Sequence, residues 1–294
     1  RNPRTLPHAV NSALFPIVAV ASAILHPQLR AQGVYGPGPA SVLHSPVVKT
    51  FYLIDGHAQL FRAYYAPFRD LTSPAGEPVK AVYVFTQMLL NVLRTEKPDY
   101  VAVTFDVSDS TTHRKSWYPE YKANRDRSPE DLHQQFQRVR EVIAALGIPT
   151  FELEGYEADD LIATIAEKLK GQPVELRIAS KDKDLHQILT PTVKLWDPSK
   201  GDLLDDELLR VEKGYGPESA VEIQTLVGDS TDNIPGAVGV GVKTAVKLID
   251  AYGTAENVVA NVADLTPKLR ENLLIHAQQM DLTRRLVTLD RDAP

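Results

Sequence analysis

The chain has 294 residues, 43% hydrophobic and 24% charged, enough for one large domain or two smaller ones with a full core. The absence of cysteine excludes a disulfide scaffold and thiolate-bound zinc, and fits a reducing compartment. A net charge of −6 argues against a nucleic-acid partner only if charge is evenly spread, and here it is not.

Residues 1–46 differ from the rest of the chain, with many Pro and Gly and an apolar run from Ala13 to Leu25 behind Arg1 and Arg4. A disordered leader and a signal-like segment are the competing readings, and the run is too short to span a bilayer. The chain begins with Arg, which suggests a fragment or an overlong reading frame. The globular part opens with the β-rich run Val47 to Ile54, ending at Asp55-Gly56. Helical patterns at about 58–66 and 80–95 precede a second strand, Tyr100 to Phe105, which stops at Asp106.

After a basic stretch, an amphipathic helix is predicted from about Pro129 to Leu146, then a short strand from Pro149 to Leu153. Gly155-Tyr156-Glu157-Ala158-Asp159-Asp160 opens another helix, whose buried face is Leu161, Ile162, Ile165, Ala166 and Leu169. A strand at Val174 to Ala179 runs into Ser180-Lys181-Asp182-Lys183-Asp184, and a last one lies near Val193 to Trp196. Strands alternating with helices predict an α/β class, a mostly parallel sheet covered on both faces. From about Gly214 the pattern is entirely helical, which predicts a core over 47–213 and a smaller helical domain over 214–294.

The acids carry the chemistry. A helix N-terminus favours one or two carboxylates by roughly 0.3–1 kcal/mol. Three are harder to place, because like charges about 4 Å apart repel by about 4 kcal/mol at an effective dielectric near 20. In a parallel sheet all strands end on one edge, where ligands bind. Asp55, Asp106 and Asp182 each follow a strand, and the helix bearing Glu157, Asp159 and Asp160 starts at that edge. Asp184 lies two residues beyond Asp182, and Asp229 and Asp232 add a pair at i, i+3 spacing. So many carboxylates need counter-charge, and an oxygen-only set favours hard divalent cations such as Mg²⁺, with Mn²⁺ as a substitute. Two such ions can activate water for phosphoryl displacement. His57 reads as a helix-start residue.

Between Asp106 and the helix at 129, residues His113 to Arg127 mix Arg114, Lys115, Lys122, Arg125 and Arg127 with Trp117, Tyr118 and Tyr121, against only Glu120 and Asp126. That mixture suits a phosphate backbone and stacked bases, with a solvated basic loop as the alternative. A Gly-rich hairpin with Gly236, Gly239 and Gly241 opens a helix at Lys243-Thr244, whose backbone N–H groups suit phosphate without reading sequence.

These motifs resemble the 5′-nuclease domain family of bacterial DNA polymerase I, relatives of the flap endonucleases: Ile54 to His57, Phe105-Asp106, Tyr121-Lys122 with Arg125, Gly155 to Asp160, Lys181 to Leu185, Gly228 to Asn233 and the Gly236 to Thr244 hairpin. The resemblance runs from about Thr50 to the C-terminus and implies a PIN-like core with an arch at about 108–128, then a helix-hairpin-helix domain. It implies that Asp55, Asp106, Glu157, Asp159 and Asp160 hold a catalytic metal region and that Asp182, Asp184, Asp229 and Asp232 surround a second. Lys122 and Arg125 would stabilise the scissile phosphate, Tyr121 would stack on a displaced base, and K⁺ would bind near 236–241. The residues expected to carry catalysis are Lys122, Arg125, Asp106 and Asp160. The implied activity is metal-dependent 5′→3′ exonuclease and flap cleavage in replication and repair, on DNA with 5′ flaps, nicks or 5′ ends and without sequence specificity. The enzyme would be a cytoplasmic, nucleoid-associated monomer with no membrane partner. A standalone nuclease, polymerase domains beyond residue 294, a non-catalytic junction-binding module and a ribonuclease of similar fold stay open. Residues Ser108 to Thr112 and 1–46 fall outside the family pattern.

Overall fold

The computed structural model of the chain describes residues 48–108, 111–125 and 128–294; the expected leader over 1–46, like Arg127, lies outside them. Among the described residues, six strands form one sheet in the order β3-β2-β1-β4-β5-β6. The strands are β1 (Lys49–Asp55), β2 (Tyr100–Thr104), β3 (Thr150–Phe151), β4 (Val174–Ala179), β5 (Val193–Trp196) and β6 (Leu203–Leu204). All pairings are parallel except β5 with β6.

Alternation along β1 sends its side chains to two cores. Phe51 and Leu53 join Leu176, Ile178, Leu161 and Ile162 on one face. Tyr52 and Ile54 join Leu60, Phe85, Leu89, Val139 and Ile143 on the other. The second face is therefore covered by α1 (Gly56–Tyr64), α2 (Lys80–Asn91) and α4 (Glu130–Ala145), while α3 (His113–Trp117) lies in the basic stretch. The first face carries α5 (Ala158–Lys168) and a 3₁₀ helix, Lys183–Ile188.

Burial on both faces gives the near-continuous apolar runs visible in the sequence. β6 is not visible there: two residues pair with β5 across the turn in which the Asp197 N–H bonds the Asp202 carbonyl. Helical structure also begins earlier than expected, at α6 (Asp206–Lys213), capped by the Asp205 carboxylate on the Leu208 N–H.

The helical part continues through α7 (Pro217–Val227), α8 (Val242–Tyr252), α9 (Ala255–Ala260), α10 (Pro267–His276) and α11 (Met280–Val287). Its core gathers Ile223, Leu226, Val240, Leu248, Ile249 and Leu273. Gly236 is required by close approach, since a Cβ there would lie 1.9 Å from the Val227 carbonyl oxygen. The turn after α7 and the hairpin thereby cross in direct backbone contact.

Candidate metal and nucleic-acid site

β2, β1 and β4 are neighbours and end together: Asp55 is in register with Thr104, and Ile54 with Ala179. Asp55, Asp106 and Asp182 consequently emerge at one edge, as the topology predicts. Each also caps a helix. Asp55 Oδ1 accepts the Ala58 N–H at 3.0 Å, Asp106 Oδ1 the Ala158 N–H at 2.6 Å, and Asp182 Oδ1 the Asp184 N–H at 2.9 Å. One oxygen of each acid thus fixes an element, and the second has other partners or the crevice. Asp55 Oδ2 accepts the Ser180 hydroxyl at 3.0 Å, and Asp106 Oδ2 lies 3.3 Å from His57 Nδ1.

A crevice of about 720 Å³ at this edge is lined by Asp55, Asp106, Glu157, Asp159 and Asp182, with Lys122 and Arg125 on its wall. Burial, and then the carboxylates of Asp106 and Asp182, push Asp55 up to about 7. Asp159 is also raised well above the usual range, by burial first and then by Asp182, Asp55, Asp184 and Asp106. Carboxylate oxygens of Asp184, Asp229 and Asp232 lie within 4.8 Å of one another. Burial and Asp182 lift Asp184 to about 6. Such mutual destabilisation of anions is the electrostatic signature of a set that divalent charge would relieve.

The basic stretch is zipped onto the Asp229 to Asn233 turn. The Lys122 N–H donates to the Asp232 carbonyl at 2.9 Å, Asn124 Nδ2 to the Ser230 carbonyl at 2.7 Å, and Asn233 Nδ2 to the Glu120 carbonyl at 2.7 Å. Lys122 itself adopts a left-handed backbone, with φ 55°. Its Nζ lies 2.5 Å from Glu157 Oε1, and Arg125 pairs with Asp232. Lys183, whose role the sequence did not mark, pairs with Asp229 at 2.5 Å. Burial works against the Asp229 charge, but the Lys183 ammonium holds its carboxyl below the ordinary value.

Three residues expected at the metal or on DNA lie in one buried hydrogen-bond network. Arg114, expected on DNA, is only 5% exposed and donates five hydrogen bonds. Its Nε donates to the Leu286 carbonyl at 2.8 Å, Nη1 to Glu157 and Asp160 at 3.1 and 2.6 Å, and Nη2 to Asp160 and the Thr288 carbonyl at 2.7 and 3.0 Å. Asp160, expected at the metal, has both oxygens in that fork and also accepts the N–H groups of Glu157 and Asp290. Burial opposes its charge, yet Arg114 and those N–H donors hold its pKa low. Tyr121, expected to stack on a base, is buried at 3% exposure, its hydroxyl donating to Glu157 at 2.9 Å and lying 3.4 Å from Asp232. The shared reason is position: the base of the stretch is pressed between α5 and α11, where an aromatic or guanidinium group becomes core.

Lys115 is tethered by Nζ to the Tyr121 carbonyl at 2.6 Å. In the hairpin Gly239 (φ 78°), Gly241 and Lys243 are exposed and Gly236 and Thr244 half-buried, which leaves the start of α8 at the surface. No helix among the described residues is long and apolar enough to cross a membrane.

Residues 50–216 match the family described as 5′-3′ exonuclease, N-terminal resolvase-like domain, and residues 215–294 that described as 5′-3′ exonuclease, C-terminal SAM fold. The chain is 40% identical over 252 residues to DNA polymerase I of Bacillus caldotenax, covering 84% of this chain and 28% of that protein. It therefore spans less than a third of that polymerase. It is 35% identical over 245 residues to a 5′-3′ exonuclease of Aquifex aeolicus, covering 83% of both. In fold it is similar to the 5′-exonuclease of T5 with divalent zinc ions bound, at TM-score 0.68 and 23% identity over 82% of this chain and 90% of that one. The resemblance carried by the motifs is borne out.

Proposed function

We propose, because this chain belongs to the 5′-3′ exonuclease family, that it hydrolyses phosphodiester bonds of DNA from 5′ ends and at 5′ flaps, using divalent cations. The observation that carries this reading is the crevice in which Asp55, Asp106, Glu157, Asp159 and Asp182 face Lys122 and Arg125. The donor set fits hard cations: it is all oxygen, its buried acids are strained in the anionic form, and the Gln224 amide oxygen beside it is buried without a partner among the described residues. Asp55, Asp106 and Asp159 would hold one ion, and Asp184, Asp229 and Asp232 a second, with Asp182 between them.

When bound, the cations supply the counter-charge and the activation of water for in-line attack on phosphorus. The chain's own residues do the rest. Lys122 and Arg125 hold positive charge at the crevice wall, where charge develops on the phosphoryl oxygens. Residues 47–213 supply Lys122, Arg125 and most of the acids, Asp229 and Asp232 join them from 214–294, and the hairpin of 214–294 grips a duplex through Gly239, Gly241, Lys243 and Thr244, without sequence readout. Mg²⁺ as the working ion, K⁺ at the hairpin, and a monomer acting in the bacterial cytoplasm complete the reading.

The test is cleavage of a labelled 5′-flap DNA duplex by the full chain, with Mg²⁺ and with chelator, scored by product length. Short 5′ products in metal alone support the reading. Tight binding without products under Mg²⁺ or Mn²⁺ replaces it with a junction-binding module, and preference for an RNA flap makes it a ribonuclease.

A further inference from the structure

The acids of the second cluster come from both parts of the chain: Asp184 from the 3₁₀ helix under the sheet, Asp229 and Asp232 from the turn after α7. Their proximity depends on how α7 sits against the 3₁₀ helix, and one side chain spans that contact. Gln224, on α7 and 7% exposed, donates its Nε2 to Asp184 Oδ1. A carboxylate only accepts, so this bond fixes the orientation of the amide. The other amide atom, Oε1, is buried and has no hydrogen-bond partner among the described residues. Leaving a carbonyl oxygen buried and unpaired is costly unless a donor or cation meets it.

We infer that Gln224 is a positioning residue of the second cation site, holding Asp184 toward Asp229 and Asp232 through Nε2 and presenting Oε1 to the hydration shell of a divalent cation bound there. The inference rests on the metal-dependent reading above and adds to it a residue that no carboxylate motif marks. Two features of the surroundings favour it. Gln224 sits one helical turn before Gly228 and Asp229, its backbone carbonyl accepting the Gly228 N–H at 2.7 Å, so the amide and the Asp229 turn move as one unit. Asp184 has a second tether in its own backbone, since Gln187 Nε2 donates to the Asp184 carbonyl at 3.0 Å and to the Val287 carbonyl at 2.9 Å. With its main chain held, the Asp184 carboxylate is left to Gln224 and to Lys183, whose Nζ is 3.5 Å away. An amide that donates to one ligand and offers an oxygen beside it is the arrangement by which an outer group orients a ligand and supports its water.

The experiment is Mn²⁺ binding to the full chain by isothermal titration calorimetry, for the parent, Gln224→Met, Asp184→Asn and Asp229→Asn, with thermal melting in chelator as a check on folding. Gln224→Met keeps the length and buries no polar atom. The expected result is a weakening of one Mn²⁺ equivalent by about tenfold or more, no change in the other, and a metal-free melting temperature close to the parent's. In flap cleavage the same variant should need proportionally more Mn²⁺ for half-maximal rate, with KM for DNA unchanged. Unchanged Mn²⁺ affinity in Gln224→Met, with Asp184→Asn and Asp229→Asn both weakened, overturns the role of Gln224 and leaves the cation site standing. Unchanged affinity in all three overturns the cation site itself. If Gln224→Met melts early, Gln224→Asn, which keeps the amide but shortens it, decides: parent-like Mn²⁺ affinity there overturns the inference, and tenfold weakening with a parent-like melt supports it.

Discussion

Asp106 commits Oδ1 to the first turn of α5 while its Oδ2 lies beside His57, and Asp55 and Asp182 likewise each commit one oxygen to the start of a helix. A reading of each acid as a helix cap and a reading of it as a cation ligand are therefore compatible. Asp106→Asn should keep the shape and most of the capping while lowering flap cleavage more than about 100-fold; single-turnover rates with flap binding measured in parallel would check that binding stays within a few-fold. Asp160 behaves differently because both its oxygens lie in the Arg114 fork. Replacing Arg114 by Met should destabilise the chain by about 3–5 kcal/mol, the usual result of stranding a buried charge, measured by urea unfolding. Asp160→Ala should lose stability for the same reason, so a loss of cleavage there does not identify a metal ligand. Sequence could count the carboxylates of Glu157-Ala158-Asp159-Asp160 but not divide them, because what separates Asp159 from Asp160 is a guanidinium 46 positions away.

Strands β1, β2 and β4 were legible because burial on both faces leaves an unbroken apolar run, and parallel pairing then brought their terminal acids together without further information. The two-residue β6 and the 3₁₀ helix after Asp182 were not, since each is fixed by hydrogen bonds to a neighbour instead of by its own periodicity. The hairpin between α7 and α8 was legible by its glycines, which differ in what the packing demands: Gly236 has no room for a methyl group, whereas Gly241 has open space around it. Gly236→Ala should cost about 1–3 kcal/mol by overpacking and displace the Asp229 turn, while Gly241→Ala should melt near the parent temperature; thermal melts of the two variants side by side check this. At the start of α8, Lys243→Ala should weaken duplex binding without changing sequence preference and lower the salt-dependence slope by about one, measured by anisotropy over a range of KCl concentrations.

Seen across the whole chain, the site joins charges that oppose one another in their pH dependence. Asp55 at about 7 and Asp184 at about 6 stand above the ordinary 3.8. A raised carboxyl adds stability that is complete below about 4 and is lost as pH climbs through 6 to 7. His186, pushed down to about 4 by burial first and by Lys213, does the reverse: its contribution is present above 6.5 and is lost as pH falls toward 4. A divalent cation removes the first effect and not the second. Mg²⁺ should accordingly raise the melting temperature little at pH 5 and by several degrees at pH 8, at about 2–4 °C per kcal/mol for a chain of this size; scanning fluorimetry with Mg²⁺ and with chelator decides it. The Arg114 fork adds a dimension of time. Its carbonyl partners at Leu286 and Thr288 lie 172 and 174 positions downstream. At roughly 5–20 residues per second, a ribosome delivers Arg114 roughly 10–30 s before the groups that close the fork. Once Asp232 has been made the nascent chain carries all nine acids, yet the Arg114 fork that orders Glu157 and Asp160 still lacks the two carbonyl groups that close it.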